Sequence, residues 1–173
     1  YGCSSLNEIV ISPSVHTINE NAFQGISALT ITGDIQHIPG ESFKNCSSLT
    51  KLIIDTDTLI SIGSSAFQGC SSLREMVFNA NNITLIGSSA FEGCTSLNVI
   101  TIPPSVQTIQ NDAFKGIYNI TINGNIEQLP KESFKNCSSL TKITFDTNTL
   151  ISIGQSAFEN CTSLKEIIFK TDS

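Results

Sequence analysis

The chain has no tryptophan, two tyrosines, one methionine and a single arginine, Arg74, among its 173 residues. Nine basic residues stand against fifteen acidic ones, for a formal charge of −6. Affinity for a phosphate backbone rests on a stripe of Lys and Arg, so this shortage argues against nucleic-acid binding. There are two histidines, His16 and His37. Ser-His-Asp or Cys-His catalysis needs an imidazole held beside a nucleophile, and neither histidine suggests such a pairing. P-loop, dinucleotide and calcium-loop motifs are also missing, so no enzyme, cofactor or metal site is expected. No apolar run exceeds four residues. A bilayer needs roughly 20, so membrane insertion of this region is not expected. No secretory leader is visible, which says little if the chain is part of something longer.

What the chain does contain is repetition. Phe23, Phe43, Phe67, Phe91, Phe114, Phe134 and Phe158 are separated by 20, 24, 24, 23, 20 and 24 residues. A second period of 91 residues lies above the first, because residues 1–82 align without a gap on 92–173 with 48 of the 82 positions identical. Such periods imply stacked coils, each burying its apolar face against its neighbours. We therefore expect one solenoid over residues 1–173. Tyr1, Gly2 and Cys3 match Glu92, Gly93 and Cys94 in the middle of a repeat, so the chain reads as a fragment of a longer array.

The residue before each Phe is always small, as in Ala66, Ala90 and Ser133, which lets stacked layers interdigitate. Two residues after each Phe the chain uses Gly or Asn: Gly25, Asn45, Gly69, Gly93, Gly116, Asn136 and Asn160. Both types tolerate positive φ, so this position predicts a left-handed cap ending a short helical turn. Cys follows at plus three and Leu at plus six, as in Cys70 and Leu73. Alternating apolar residues such as Leu52 with Ile54, or Ile143 with Phe145, close each unit and predict a half-buried strand. The fold class is thus an α/β repeat solenoid with one short parallel β-strand per coil and a helical or irregular convex side.

Units such as Ile-Gly-Ser-Ser-Ala-Phe-Gln-Gly-Cys-Ser-Ser-Leu (62–73), and the Ser-Ala-Phe-Glu-Asn-Cys-Thr-Ser-Leu segment ending at Leu164, resemble the BspA-like, or Treponema pallidum-type, class of leucine-rich repeats. The resemblance covers nearly the whole chain in seven anchored units. It implies a bacterial or protozoan surface protein, at the cell surface or secreted, that adheres to host or matrix proteins.

Six cysteines invite a disulfide or metal reading, but register opposes it. Cys3, Cys46, Cys70, Cys94, Cys137 and Cys161 share one slot, which Ile26 and Ile117 fill in the other two repeats. A slot shared by Cys and Ile is an apolar interior position, so free buried thiols are expected. Sequons occur at Asn45, Asn82, Asn119, Asn136 and Asn160, three of them at the left-handed position.

The outward face of the sheet remains. Its first column reads Glu8, Ala28, Lys51, Glu75, Val99, Asn119, Lys142, Glu166, with Asp55 and Asp146 in the third. The 91-residue period copies Lys51, Asp55 and Glu75 as Lys142, Asp146 and Glu166, and these six are the candidate ligand-binding residues. A non-enzymatic protein-interaction or adhesion module is the expected function. The alternative is a structural spacer whose concave face has no ligand. Apolar coil edges at both ends also favour end-to-end self-association.

Overall fold

The computed structural model describes residues 8–10, 12, 14, 15, 22, 23, 25–103, 105–123 and 126–170. Apolar residues at every second position turn each front segment into a strand with one buried face. In Lys51–Asp55, Leu52 and Ile54 are fully buried, while Lys51, Ile53 and Asp55 occupy the opposite face. Eight strands pair in chain order into one parallel sheet: Glu8–Val10, Ala28–Thr32, Lys51–Asp55, Glu75–Phe78, Val99–Thr101, Asn119–Asn123, Lys142–Asp146 and Glu166–Lys170. At the corner after Lys51–Asp55, threonine hydroxyls tie coil to coil, with Thr56 and Thr58 donating to the carbonyls of Gly33 and Ile35.

Beyond the corner the chain forms two-residue strands on an adjoining side. His37–Ile38, Ser61–Ile62, Leu85–Ile86 and Thr108–Ile109 make one small sheet, and Gln128–Leu129 with Ser152–Ile153 make another. Behind them stands the phenylalanine column. Its rings stack from Phe23 to Phe158 with centroids 5.1 to 5.8 Å apart. Phe43, Phe67, Phe91 and Phe114 are fully buried. Such ring pairs contribute about 0.5–1.5 kcal/mol each beyond the burial itself.

The convex side is not helical. Among the described residues there is no helix, and the back of every coil is a run of turns. The predicted left-handed position is there: all seven Gly and Asn residues two after Phe have φ between 60° and 96°. A second left-handed position, two before Phe, was not predicted. Glu41, Ser65, Ser89, Asp112, Glu132 and Ser156 occupy it with φ of 54° to 61°. Successive N–H groups therefore face different partners. Ala66, Gln68 and Cys70 donate to carbonyls three residues back, whereas Ser65, Phe67 and Gly69 donate to Ser88, Ala90 and Glu92 of the next coil at 2.8 Å. An α-helix needs those donors for its own carbonyls four residues back. Holding a non-glycine residue left-handed costs on the order of 1 kcal/mol, and the bonds to the next coil offset it.

Cysteine at plus three has a reason beyond size. Cys46, Cys70, Cys94 and Cys137 are buried free thiols, Cys161 is partly buried, and Cys3 lies outside the described residues. The thiols of Cys70, Cys94 and Cys161 donate to the carbonyls of Phe43, Phe67 and Phe134 in the preceding coil at 3.2, 3.3 and 3.0 Å. Phe43 and Phe67 each accept a second bond on that carbonyl from the Cys N–H of their own coil. Burial pushes Cys46 up to about 11 and Cys94 up to about 12, and raises Cys70 and Cys137 further.

Two outcomes follow. Truncation of Phe91 to Ala leaves a gap in the ring column that neighbours on both sides cannot fill, and should cost about 3–5 kcal/mol in urea unfolding. The interior thiols should resist alkylation at pH 8 until the chain unfolds. For Cys46, raised from 9.0 to about 11, the thiolate fraction alone falls ~100-fold. Labelling rates measured with and without urea give the comparison, with Cys161 reacting first.

Candidate ligand-binding face

The outward positions of Lys51–Asp55 and its neighbour form a small tile. At one end Lys51 Nζ lies 3.0 Å from Glu75 Oε1. Ile53 pairs with Val77 in the middle, and at the far end Asn79 Nδ2 donates to Asp55 Oδ1 at 3.2 Å. The second copy has the same plan. Lys142 Nζ lies 3.1 Å from Glu166 Oε2, Thr144 pairs with Ile168, and Lys170 Nζ lies 2.8 Å from Asp146 Oδ2. All six residues chosen from the sequence thus sit on the front face, each with a partner inside its own tile. Lys51 and Asp55 do not meet, because they cap opposite ends of one strand.

Asn79 and Lys170, which the sequence places in the third outward column but not among the candidate residues, complete the tiles. They lie 91 residues apart, each four residues after Glu75 or Glu166. Their difference sets the local charge. The first tile has one lysine against Asp55 and Glu75. The second has two, Lys142 and Lys170, against Asp146 and Glu166.

The columns read from the sequence need a correction at both short coils. The expected neighbours were Val99 with Asn119 and Glu8 with Ala28. The sheet instead pairs Val99 with Thr121 and Glu8 with Thr30. In these coils the segment between Phe and strand is three residues shorter, so equal position along the strand no longer means equal count from Phe. Side chains alternate with a period of two, and a slip of two keeps Ile120 and Ile122 inside where a slip of one would turn them out. The second tile is consequently displaced along the strand direction by two residues, about 7 Å, as well as by four strands, about 19 Å across the sheet.

The tile ion pairs are half exposed, which limits each to well under about 1 kcal/mol. Thr144 is the exception to open exposure on this face, at 7%. Outside the tiles, His37 sits on the small side sheet with Nδ1 2.8 Å from Ser61 Oγ, and His16 lies outside the described residues. Asp34, Asp55 and Asp57 gather with Thr56 and Thr58 around a shallow corner. Among the described residues no group of His, Cys, Asp and Glu has an arrangement that could hold a metal ion. Of the sequon asparagines, Asn160 donates to Asn136, Asn136 to Asp112 and Asn82 to the Asp57 carbonyl, so these amides already serve the coil-to-coil contacts.

A sequence profile described as the BspA type leucine rich repeat region matches residues 1–121 and 62–173, in six copies. The crystal structure of a T. pallidum leucine-rich repeat protein superposes with a TM-score of 0.62 at 22% identity, over 92% of this chain and 72% of that one. A leucine-rich cell surface protein from Faecalibacterium prausnitzii gives 0.51 at 24% identity, over 97% of this chain and 49% of its own length. TLR13, solved in complex with ssRNA13, gives 0.54 at 17% identity over 94% and 24%. At these identities the likeness is one of fold. None of the curated proteins matches the chain.

If the tile pairs are the surface contacts their exposure indicates, a Lys51→Ala, Glu75→Ala double-mutant cycle should give a coupling below about 1 kcal/mol. The melting temperature should move little. A coupling of several kcal/mol would mean that the pair holds the sheet together instead.

Proposed function

Because this chain belongs to the BspA type leucine-rich repeat family, we propose that it is a non-enzymatic protein-interaction module of a bacterial surface protein, binding a host or matrix protein on the front face of its sheet. The observation that carries this reading is the repeated tile. Interior positions repeat because packing demands it, but packing makes no such demand on outward side chains. Even so, Lys51, Asp55 and Glu75 recur as Lys142, Asp146 and Glu166 on one uninterrupted eight-stranded sheet. Two similar tiles on one surface suit a partner that itself repeats, since the second contact then forms at high effective concentration. The cell-surface description of the F. prausnitzii relative agrees with a surface location. No helix among the described residues is long and apolar enough to cross a membrane.

The spacer reading has its own support. The described front face offers no Trp, Tyr or Arg, the residues that usually anchor interfaces, and its lysines are already paired with carboxylates.

Charge reversal separates the two. Binding to immobilised host and matrix proteins is measured for Lys51→Glu, Lys142→Glu and the double variant. In a bivalent adhesin one disabled tile already removes the avidity, so each single change should weaken binding by ~100-fold or more, and the double variant should weaken it further. Unchanged binding in all three would leave the spacer.

A further inference from the structure

Between the coils of Phe114 and Phe134, four features change together. The side sheet stops, with Thr108–Ile109 and Gln128–Leu129 belonging to separate sheets. On the back, the N–H groups of Ser65, Phe67 and Gly69, of Ser89, Phe91 and Gly93, and of Glu132, Phe134 and Asn136 all donate to the next coil. Among the described residues no such bond leaves Asp112, Phe114 or Gly116. The ring planes of Phe114 and Phe134 turn by 23°, against 5°, 1° and 6° in the three steps before. In front, the strands cross with the slip of two residues. The front sheet, the stacked rings and one side-chain bond, from Asn136 Nδ2 to Asp112 Oδ1, still bridge the junction.

The cause lies four residues before each Phe. Gly63, Gly87, Gln110 and Gly154 each donate their N–H across to the preceding coil, to Ile38, Ile62, Ile86 and Leu129, at 2.8 to 2.9 Å. In the coil of Phe134 this residue is Pro130, which has no N–H to give. Gln110 carries a full side chain in this slot and keeps its bond, so the lost N–H is what sets Pro130 apart. A cleft of about 510 Å³ lies beside it, lined by Thr108, Gln128, Pro130 and Lys131 among others. Pro39 fills the same slot in the other short coil. There the Phe23 and Phe43 rings turn by 22°, and Glu8 pairs with Thr30 in the same slip.

We propose that these proline-bearing junctions are hinges that divide the array into four-coil blocks, and that a block, such as residues 26–116, is the unit that bends and unfolds together. In a solenoid, cooperativity passes only through nearest-neighbour interfaces, so the interface with the fewest bonds is where it is interrupted. The first tile, Lys51 with Glu75, lies within 26–116, and the second, Lys142 with Glu166, in the block after it. Bending at Pro130 therefore changes the angle between tiles and leaves each tile intact. The hinge does not depend on whether the tiles bind a partner.

Residue-resolved hydrogen exchange on the whole chain tests it. The amides of Asp112, Phe114 and Gly116 should exchange at least ~30-fold faster than those of Ser65, Phe67 and Gly69 or of Glu132, Phe134 and Asn136. Equal protection across the three coils would overturn the proposal. A Phe134→Leu variant adds a second reading: exchange should quicken through residues 117–170 while the amides of residues 41–93 keep their wild-type rates. Acceleration spread evenly over both regions would show that no boundary exists.

Discussion

A coil of a solenoid has no partners except the coils before and after it, so each interior group must be matched by a copy of itself one coil away. In this chain the requirement is strictest at the phenylalanine column, where rings stack at 5.1 to 5.8 Å. A ring that large in every coil forces a small residue beside it, and Ala66, Ala90 and Ala113 are completely buried. In the turn around it alternate N–H groups bond within the coil and to the next one, and Cys thiols add a second bond to the Phe carbonyls of the preceding coil. Sheet, turns and thiols together leave the interior polar groups partnered within their own coil or in an adjacent one.

Interior repetition is therefore dictated by packing, and the outward positions are free of that constraint. The front strands alternate in and out, so their exposed residues drift without cost to the core. Against that drift the two tiles persist. In each a lysine faces a glutamate at one end, while at the other Asp146 has Lys170 against it and Asp55 only the amide of Asn79. The seam near Pro130 belongs to the same logic seen from the other side. It is the one described junction where the copying rule fails at the side and the back together.

Much of this could be read from the residues. The spacing of Phe revealed coils and strands, and Gly or Asn two places later revealed the left-handed turn, because only those residue types adopt positive φ readily. The matching turn two places earlier was hidden. Glu41, Ser65 and Asp112 are not residues that advertise positive φ, and the conformation there is imposed by bonds to the adjacent coil, which no single repeat encodes. Of the two forms expected for the convex side, helical or irregular, the irregular one is found, for that reason. Register across the short coils was lost for a related reason, since a count from Phe cannot show how a strand slides against its neighbour. Asn79 and Lys170 fall outside the candidate residues because those are identical in the two copies, whereas these occupy the same place with different chemistry.

The turns on the back have a direction. In each regular coil three peptide groups point their N–H toward the following coil and their C=O toward the preceding one, as Ser65, Phe67 and Gly69 do. Each peptide unit carries a dipole of roughly 3.5 D, and dipoles aligned head to tail add. Along the back these dipoles are positive toward higher residue numbers, opposite to the sense of an α-helix, whereas at the corner and side Thr50, Ile60 and Gly63 turn their N–H groups to Ser27, Gln36 and Ile38 of the preceding coil, so two walls of the solenoid carry opposed electrical senses.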